Sequence, residues 1–174
     1  MKNNTRPNDA KGIEERPFKQ TDYSQVGHYE IDLILSADRT KSILTLNHRF
    51  DMMYYAIPTF NKKAATINKC LRKLIHQYDL NDKIKTITSD NGKEFFMSKV
   101  IEKTYNLNWY YATPYCSGQR GQNERLNRDL RIFFPKGMRF DNVSFKDTSI
   151  ATFTINNIPR KKFNGLSALE FSHK

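Results

Sequence analysis

The fold class this sequence predicts is an α/β sandwich, and three observations predict it. Three β-rich stretches open the chain, the hydrophobic spacing turns helical after residue 61, and single strands then alternate with amphipathic helices. The chain has 174 residues, 38% hydrophobic and 13% aromatic, which suits one domain with a substantial core.

"GHYEIDLIL" (27–35), "KSILTLNHRF" (41–50) and "MMYYAIPTF" (52–60) are rich in β-branched and aromatic residues. Polar punctuation separates them, and two antiparallel hairpin steps are the simplest connection. From 62 to 78, Ala64, Ile67, Leu71, Leu74, Ile75 and Tyr78 recur at steps of three and four, one face of a helix, with Asn61 as its N-cap. "KIKTIT" (83–88) predicts a fourth strand, "EFFMSKVIEKTY" (94–105) a second helix and "NLNWYYAT" (106–113) a fifth strand. "QNERLNRDLRIFF" (122–134) is again helical and halted by Pro135, and a last helix is expected near 145–157. Residues 1–26 are polar and read as a linker or arm, with the core over 27–174.

Composition narrows the function. Formal charge is +11, which points to polyanionic partners: nucleic acid or an acidic membrane surface. No run of 18 apolar residues exists to span a bilayer, and no signal peptide opens the chain, so the expected compartment is the cytoplasm. The two cysteines, Cys70 and Cys116, stand far apart and support neither a zinc site nor a disulfide framework. Four histidines show no paired ligand spacing.

The carboxylates are more informative. Asp32 lies inside an apolar strand, where a charge must be solvated, paired or bound to a cation. It reads either as the solvent-facing residue of an edge strand or as a ligand, with Glu30 on the same face. Asp90 ends the fourth strand before Asn91-Gly92, which is good turn chemistry and also where α/β sheets gather ligands. Glu124 stands in the first turn of a helix, where it complements the macrodipole in any case. Each acid alone is ambiguous. Together, two strand-borne aspartates and a helix-borne glutamate supply the oxygen donors that hard Mg²⁺ prefers.

Around Glu124 the stretch 119–139 carries Arg120, Arg125, Arg128, Arg131, Lys136 and Arg139 against two acids. A solvated helix face accounts for most of these. Arg120, Arg128, Arg131 and Lys136 are the candidates for contacts to DNA phosphates. "PRKK" (159–162) is a second basic run, equally readable as a charged tail.

At these residues the sequence resembles DDE transposases of the IS-thirty family, whose catalytic core has the RNase H-like fold of retroviral integrases. The matching stretches are "IEERP" (13–17), "GHYEIDLI" (27–34), "TITSDNGKEF" (86–95), "YYATPYCSGQRGQNERLNRDLRIFFPKG" (110–137) and "NNIPRKKFNGLSALE" (156–170). Between Asp90 and Glu124 lie 33 residues, the spacing of the family. The resemblance implies an RNase H-like mixed sheet of five strands flanked by helices, with Asp32, Asp90 and Glu124 as catalytic and metal-binding residues. It implies two divalent ions, Mg²⁺ with Mn²⁺ as a substitute, that cleave DNA ends and join them to target DNA. It also implies DNA and a homo-oligomer as partners. Full members carry an N-terminal helix-turn-helix region, and this chain is expected to begin after it. Tyr29, Ile31, Tyr23 and Gly118 depart from the family's usual Trp, Gly, Arg and aromatic residues. Two other readings stay open: an RNase H-like hybrid nuclease, which would want a fourth acid such as Glu30 or Glu94, and a non-catalytic DNA-binding or oligomerisation module derived from a transposase.

Overall fold

A computed structural model of the chain describes residues 7, 9–19, 21–114 and 121–174. Its centre is one mixed sheet. Strands β2 (His28–Leu35), β3 (Ser42–His48) and β4 (Tyr54–Thr59) form an antiparallel meander. Helix α1 (Ala64–Gln77) carries the chain back to β5 (Thr86–Ser89), which runs parallel to β2, and α2 (Ser98–Tyr105) leads to β6 (Asn108–Tyr111), parallel to β5. Helices α3 (Gly121–Phe133), α4 (Phe145–Asn156) and α5 (Ala168–Ser172) complete the domain.

The sheet has six strands where the sequence predicts five, in the order β1-β6-β5-β2-β3-β4. The added strand, β1, is Lys11–Gly12, which pairs in parallel with Tyr110 and Tyr111 of β6. A two-residue strand leaves no periodicity to read. The stretch after it is also packed, with Ile13, Arg16 and Phe18 buried, so residues 11–18 are not a free arm.

The alternation of side chains across the strands creates two cores. Tyr29 and Ile31 of β2, with Leu44, Leu46, Tyr55, Ile57, Ile87 and Trp109, pack under Ile67, Leu71 and Leu74 of α1 and Ile101 of α2. Ile34, Ile43, Tyr54 and Ala56 pack on the opposite face against Leu126 and Leu130 of α3 and Ala151 and Ile155 of α4. Glu30 and Asp32 share this second face with Ile34.

Local chemistry explains the helix starts. Helix α1 begins at Ala64, later than an Asn61 cap predicts: Asn61 Oδ1 accepts from the Lys63 N–H at 2.9 Å, a turn ahead of the helix. Helix α4 forms despite its β-branched content. Ser144 and Asp147 close a reciprocal capping box, and the Thr148 and Thr152 hydroxyls turn back onto the Phe145 and Ser149 carbonyls. No described helix is long and apolar enough to cross a membrane.

Candidate active site

Two of the three acids follow the paired stretch of β2 and β5. His28, Tyr29 and Glu30 pair with Thr86, Ile87 and Thr88. Asp32 stands two residues beyond the paired Glu30, inside β2 and on its face, while Asp90 follows directly on Ser89, the last residue of β5. Asp90 leaves the strand into a turn in which its Oδ1 accepts the Gly92 N–H at 2.9 Å. Asn91 anchors that turn, donating from its buried amide to the Ala112 carbonyl at 2.6 Å.

Helix α3 packs over β2 and β3. At its start the Gln122 amide donates to the His48 carbonyl (3.1 Å), and near its end Arg131 donates to the Leu35 carbonyl (3.0 Å). Midway, Asn127 Nδ2 donates to Asp32 Oδ2 at 2.9 Å, while Asp32 Oδ1 accepts from the Leu33 N–H at 2.9 Å. Glu124 is exposed one helical turn before Asn127, on an adjoining part of the helix surface. Asp32 lies within β2, Asp90 just beyond the end of its parallel neighbour β5, and Glu124 one turn before the Asn127 that binds Asp32. Among the described residues, no group of three His, Cys, Asp or Glu side chains is gathered closely enough to hold a metal ion. The donor set of three carboxylates nonetheless suits a hard divalent cation, with Asn127 adding a neutral donor that does not compete for it.

Glu30 has a different task. It is buried in an ion pair with Arg49 at 2.5 Å, each side chain only 1% exposed. Arg49 in turn stacks on Tyr23 at 4.5 Å, and Arg16, stacked on Phe18 at 4.7 Å, reaches Thr88 of β5 at 3.4 Å. Burial, reinforced by Arg49, pulls the Arg16 pKa down to about 10, still well above neutrality. A buried cationic group therefore lies one step along the strands from Asp32 and Asp90. His28, four residues before Asp32, is neutral: burial first, then Lys85 and Arg49, push its pKa to about 4, and its Nδ1 lies 2.9 Å from the Thr86 hydroxyl.

The basic candidates divide. Arg128 and Lys136 are exposed. Arg131 is half-buried, its guanidinium on the Leu35 and Phe134 carbonyls, which ties α3 to the end of β2. Arg120 lies outside the described residues, as do Tyr115 and Gly118. In "PRKK", Arg160 is buried and donates to the Ile155 carbonyl, while Lys162 lies over the Tyr23 and Phe163 rings, so this run is no simple charged tail. Tyr110 and Tyr111 are core residues, the Tyr111 hydroxyl bonding to the Phe95 carbonyl and the Ser98 hydroxyl.

Sequence reasoning passed over Asn127. Its place three positions after Glu124, beside the core residues Leu126 and Leu130, acquires meaning only once Asp32 is seen beneath it.

No family model matches the chain. Over 162 residues it is 33% identical to the transposase for insertion sequence element IS4351 of Bacteroides fragilis, an alignment covering 91% of this chain and 48% of that one. The probable transposase for insertion-like sequence element IS1161 of Streptococcus salivarius is 36% identical over 154 residues, covering 87% and 43%. The chain is thus similar to insertion-sequence transposases over most of its own length. Transposase InsI of element IS30A from Escherichia coli K12 is among these relatives, at 26% identity over 86% of this chain and 38% of that protein. The chain spans less than half the length of the transposases it matches.

Solved structures give the same fold. The catalytic core domain of BIV integrase matches with a TM-score of 0.64 at 18% identity, covering 84% of this chain and 93% of that one. The simian T-cell lymphotropic virus intasome structure matches with a TM-score of 0.69 at 16% identity, covering 91% and 61%. The chain therefore has the RNase H-like fold of integrase cores.

Proposed function

We propose that this chain is the polynucleotidyl-transferase core of a DDE transposase, acting on DNA ends and on target DNA. The observation that supports this reading is that Asn127 of the Glu124 helix binds Asp32 in β2, while Asp90 follows the end of the parallel neighbour β5. Asp32, Asp90 and Glu124 would together hold two Mg²⁺ or Mn²⁺ ions. When bound, such ions polarise the phosphoryl oxygens and stabilise the attacking and leaving oxygens.

The protein's own residues orient and bind. The Gly92 N–H holds the Asp90 carboxylate, and the Leu33 N–H and Asn127 amide hold that of Asp32. Arg128 and Lys136 are available to DNA phosphates, and the overall charge of +11 favours association with DNA. In the first reaction, water attacks a phosphorus at the element's end. The P–O3′ bond breaks and releases a 3′-hydroxyl. In the second, that hydroxyl attacks a target phosphorus, a new phosphodiester forms and one target P–O3′ bond breaks, with no covalent protein intermediate. Two DNA ends must be held together, which supports a homo-oligomer as the working form, in the compartment of the bacterial DNA.

The hybrid-nuclease reading loses its first candidate for a fourth acid, since Glu30 is committed to Arg49. The test is nicking of a supercoiled plasmid with Mg²⁺ or Mn²⁺. Asp32→Asn, Asp90→Asn and Glu124→Gln are each expected to reduce nicking to background while melting like the wild type. Unchanged activity in all three would overturn the assignment. Absence of any metal-dependent nicking by the wild type would favour a non-catalytic module.

A further inference from the structure

Asn127 is held at both ends. Its Nδ2 donates to Asp32, and its Oδ1 accepts from the Tyr54 hydroxyl at 2.6 Å and the Thr45 hydroxyl at 3.2 Å. A carboxamide has one donor end and one acceptor end, and an ionised carboxylate only accepts. The amide nitrogen must therefore face Asp32, and the oxygen must face hydroxyls that both donate. Turning the amide over would set two acceptor oxygens against each other 2.9 Å apart, a repulsive contact.

Two hydroxyls enforce this, and they are unequal. Thr45 has one proton and two acceptors, the Asn127 amide at 3.2 Å and the Asp32 backbone carbonyl at 3.3 Å. Tyr54 makes the shorter bond and is completely buried. Burial holds its phenol protonated far above the usual range, so it donates throughout the folded pH range. Its backbone is fixed as well: Asn156 of α4 accepts from the Tyr54 N–H and donates to the Tyr54 carbonyl, both at 2.9 Å. A phenylalanine would fill the same space, and a buried hydroxyl is unfavourable unless bonded.

We propose that Tyr54 is a positioning residue for Asp32: its hydroxyl sets the direction of the Asn127 carboxamide, and the carboxamide sets the direction of the carboxylate. The proposal rests on the reading of Asp32 as an essential ligand given above. Tyr54 touches no reacting atom, and its influence reaches the site only through Asn127.

The experiment compares Tyr54→Phe, Asn127→Leu and the double variant of the 174-residue chain. Two quantities are read: plasmid nicking, resolved into kcat and KM for DNA, and Mn²⁺ binding without DNA, followed by paramagnetic broadening of the Leu33 amide in ¹⁵N spectra. Partners that orient a ligand commonly change metal affinity or rate by about 10–100-fold. Tyr54→Phe is expected to lower kcat about tenfold, leave KM unchanged and raise the Mn²⁺ concentration for half-broadening several-fold. The double variant should behave as Asn127→Leu alone, because both substitutions cut one path. Effects that multiply in the double variant, or a Tyr54→Phe protein with wild-type kcat and Mn²⁺ binding, would overturn the proposal. If Tyr54→Phe does not fold, Asn127→Leu and Thr45→Val carry the test: weaker Mn²⁺ binding in both supports it, and unchanged binding in both refutes it. Asp32→Asn distinguishes the two levels. If Asp32→Asn nicks at the wild-type rate, the functional reading itself fails. If Asp32→Asn is inactive while Tyr54→Phe is fully active, only the positioning role fails.

Discussion

The side chain of Asn156 binds the backbone of Tyr54 as a neighbouring strand would, accepting from its N–H and donating to its carbonyl, both at 2.9 Å. Strand β4 is the last in the sheet, so these groups face away from β3 and have no further strand to pair with. Asn156 is buried, and losing its amide would leave two backbone groups unpaired away from water. Asn156→Leu is expected to destabilise the fold by about 2–4 kcal/mol, the cost of leaving two buried backbone groups unsatisfied. Urea unfolding with an unchanged m-value measures it.

Glu30 and Arg49 should respond to single and paired substitution very differently. Removing one partner strands a buried charge, so Glu30→Gln is expected to cost about 3–5 kcal/mol. Replacing both, as in Glu30→Gln with Arg49→Met, is expected to cost less than the sum of the single changes. A double-mutant cycle in urea provides the comparison, and additive losses would contradict the pairing.

His28 makes stability depend on pH. Its folded pKa is about 4, below the 6.5 of an unfolded histidine, so between these values the unfolded chain binds the extra proton. Stability from this group is complete above pH 6.5 and declines as pH falls towards 4, by roughly 3 kcal/mol in total. His28→Gln should flatten the curve in that window relative to the wild type. An NMR titration showing His28 protonated near pH 6.5 would contradict the assignment.

Arg131 and Arg128 are neighbours on α3, but their substitution should show in different measurements. Arg131 bonds to two carbonyls, so Arg131→Ala should cost about 1–3 kcal/mol of stability and leave the salt dependence of DNA binding unchanged. Arg128→Ala should leave the melting temperature in place and reduce the slope of log K against log salt by about one. Fluorescence anisotropy across a salt series, beside thermal melts, tests both.

The contrast between these arginines also shows where sequence reading stops. Helix α1 was legible because Ile67, Leu71 and Leu74 repeat at helical spacing, and the three acids were proposed because their types and order match a known pattern. Arg128 and Arg131 belong to the same basic stripe, and only the packing of α3 over β2 puts one of them against carbonyls. Asn127 was hidden because an asparagine on a polar helix carries no signal until Asp32 is seen beneath it. Tyr54 read as an ordinary strand aromatic, since nothing local marks its hydroxyl. Lys11–Gly12 was invisible for a further reason: a two-residue strand owes its existence to the open side of β6, almost a hundred residues away.

That short strand bears on how copies of the protein can meet. An open sheet edge is a template for adding another chain, and it invites both strand exchange and fibre growth. Lys11–Gly12 covers half of the four-residue β6 side, and Asn156 with Pro58 blunts the opposite side along β4. Among the described residues, neither flank leaves a long free ladder, so further strands find little to extend.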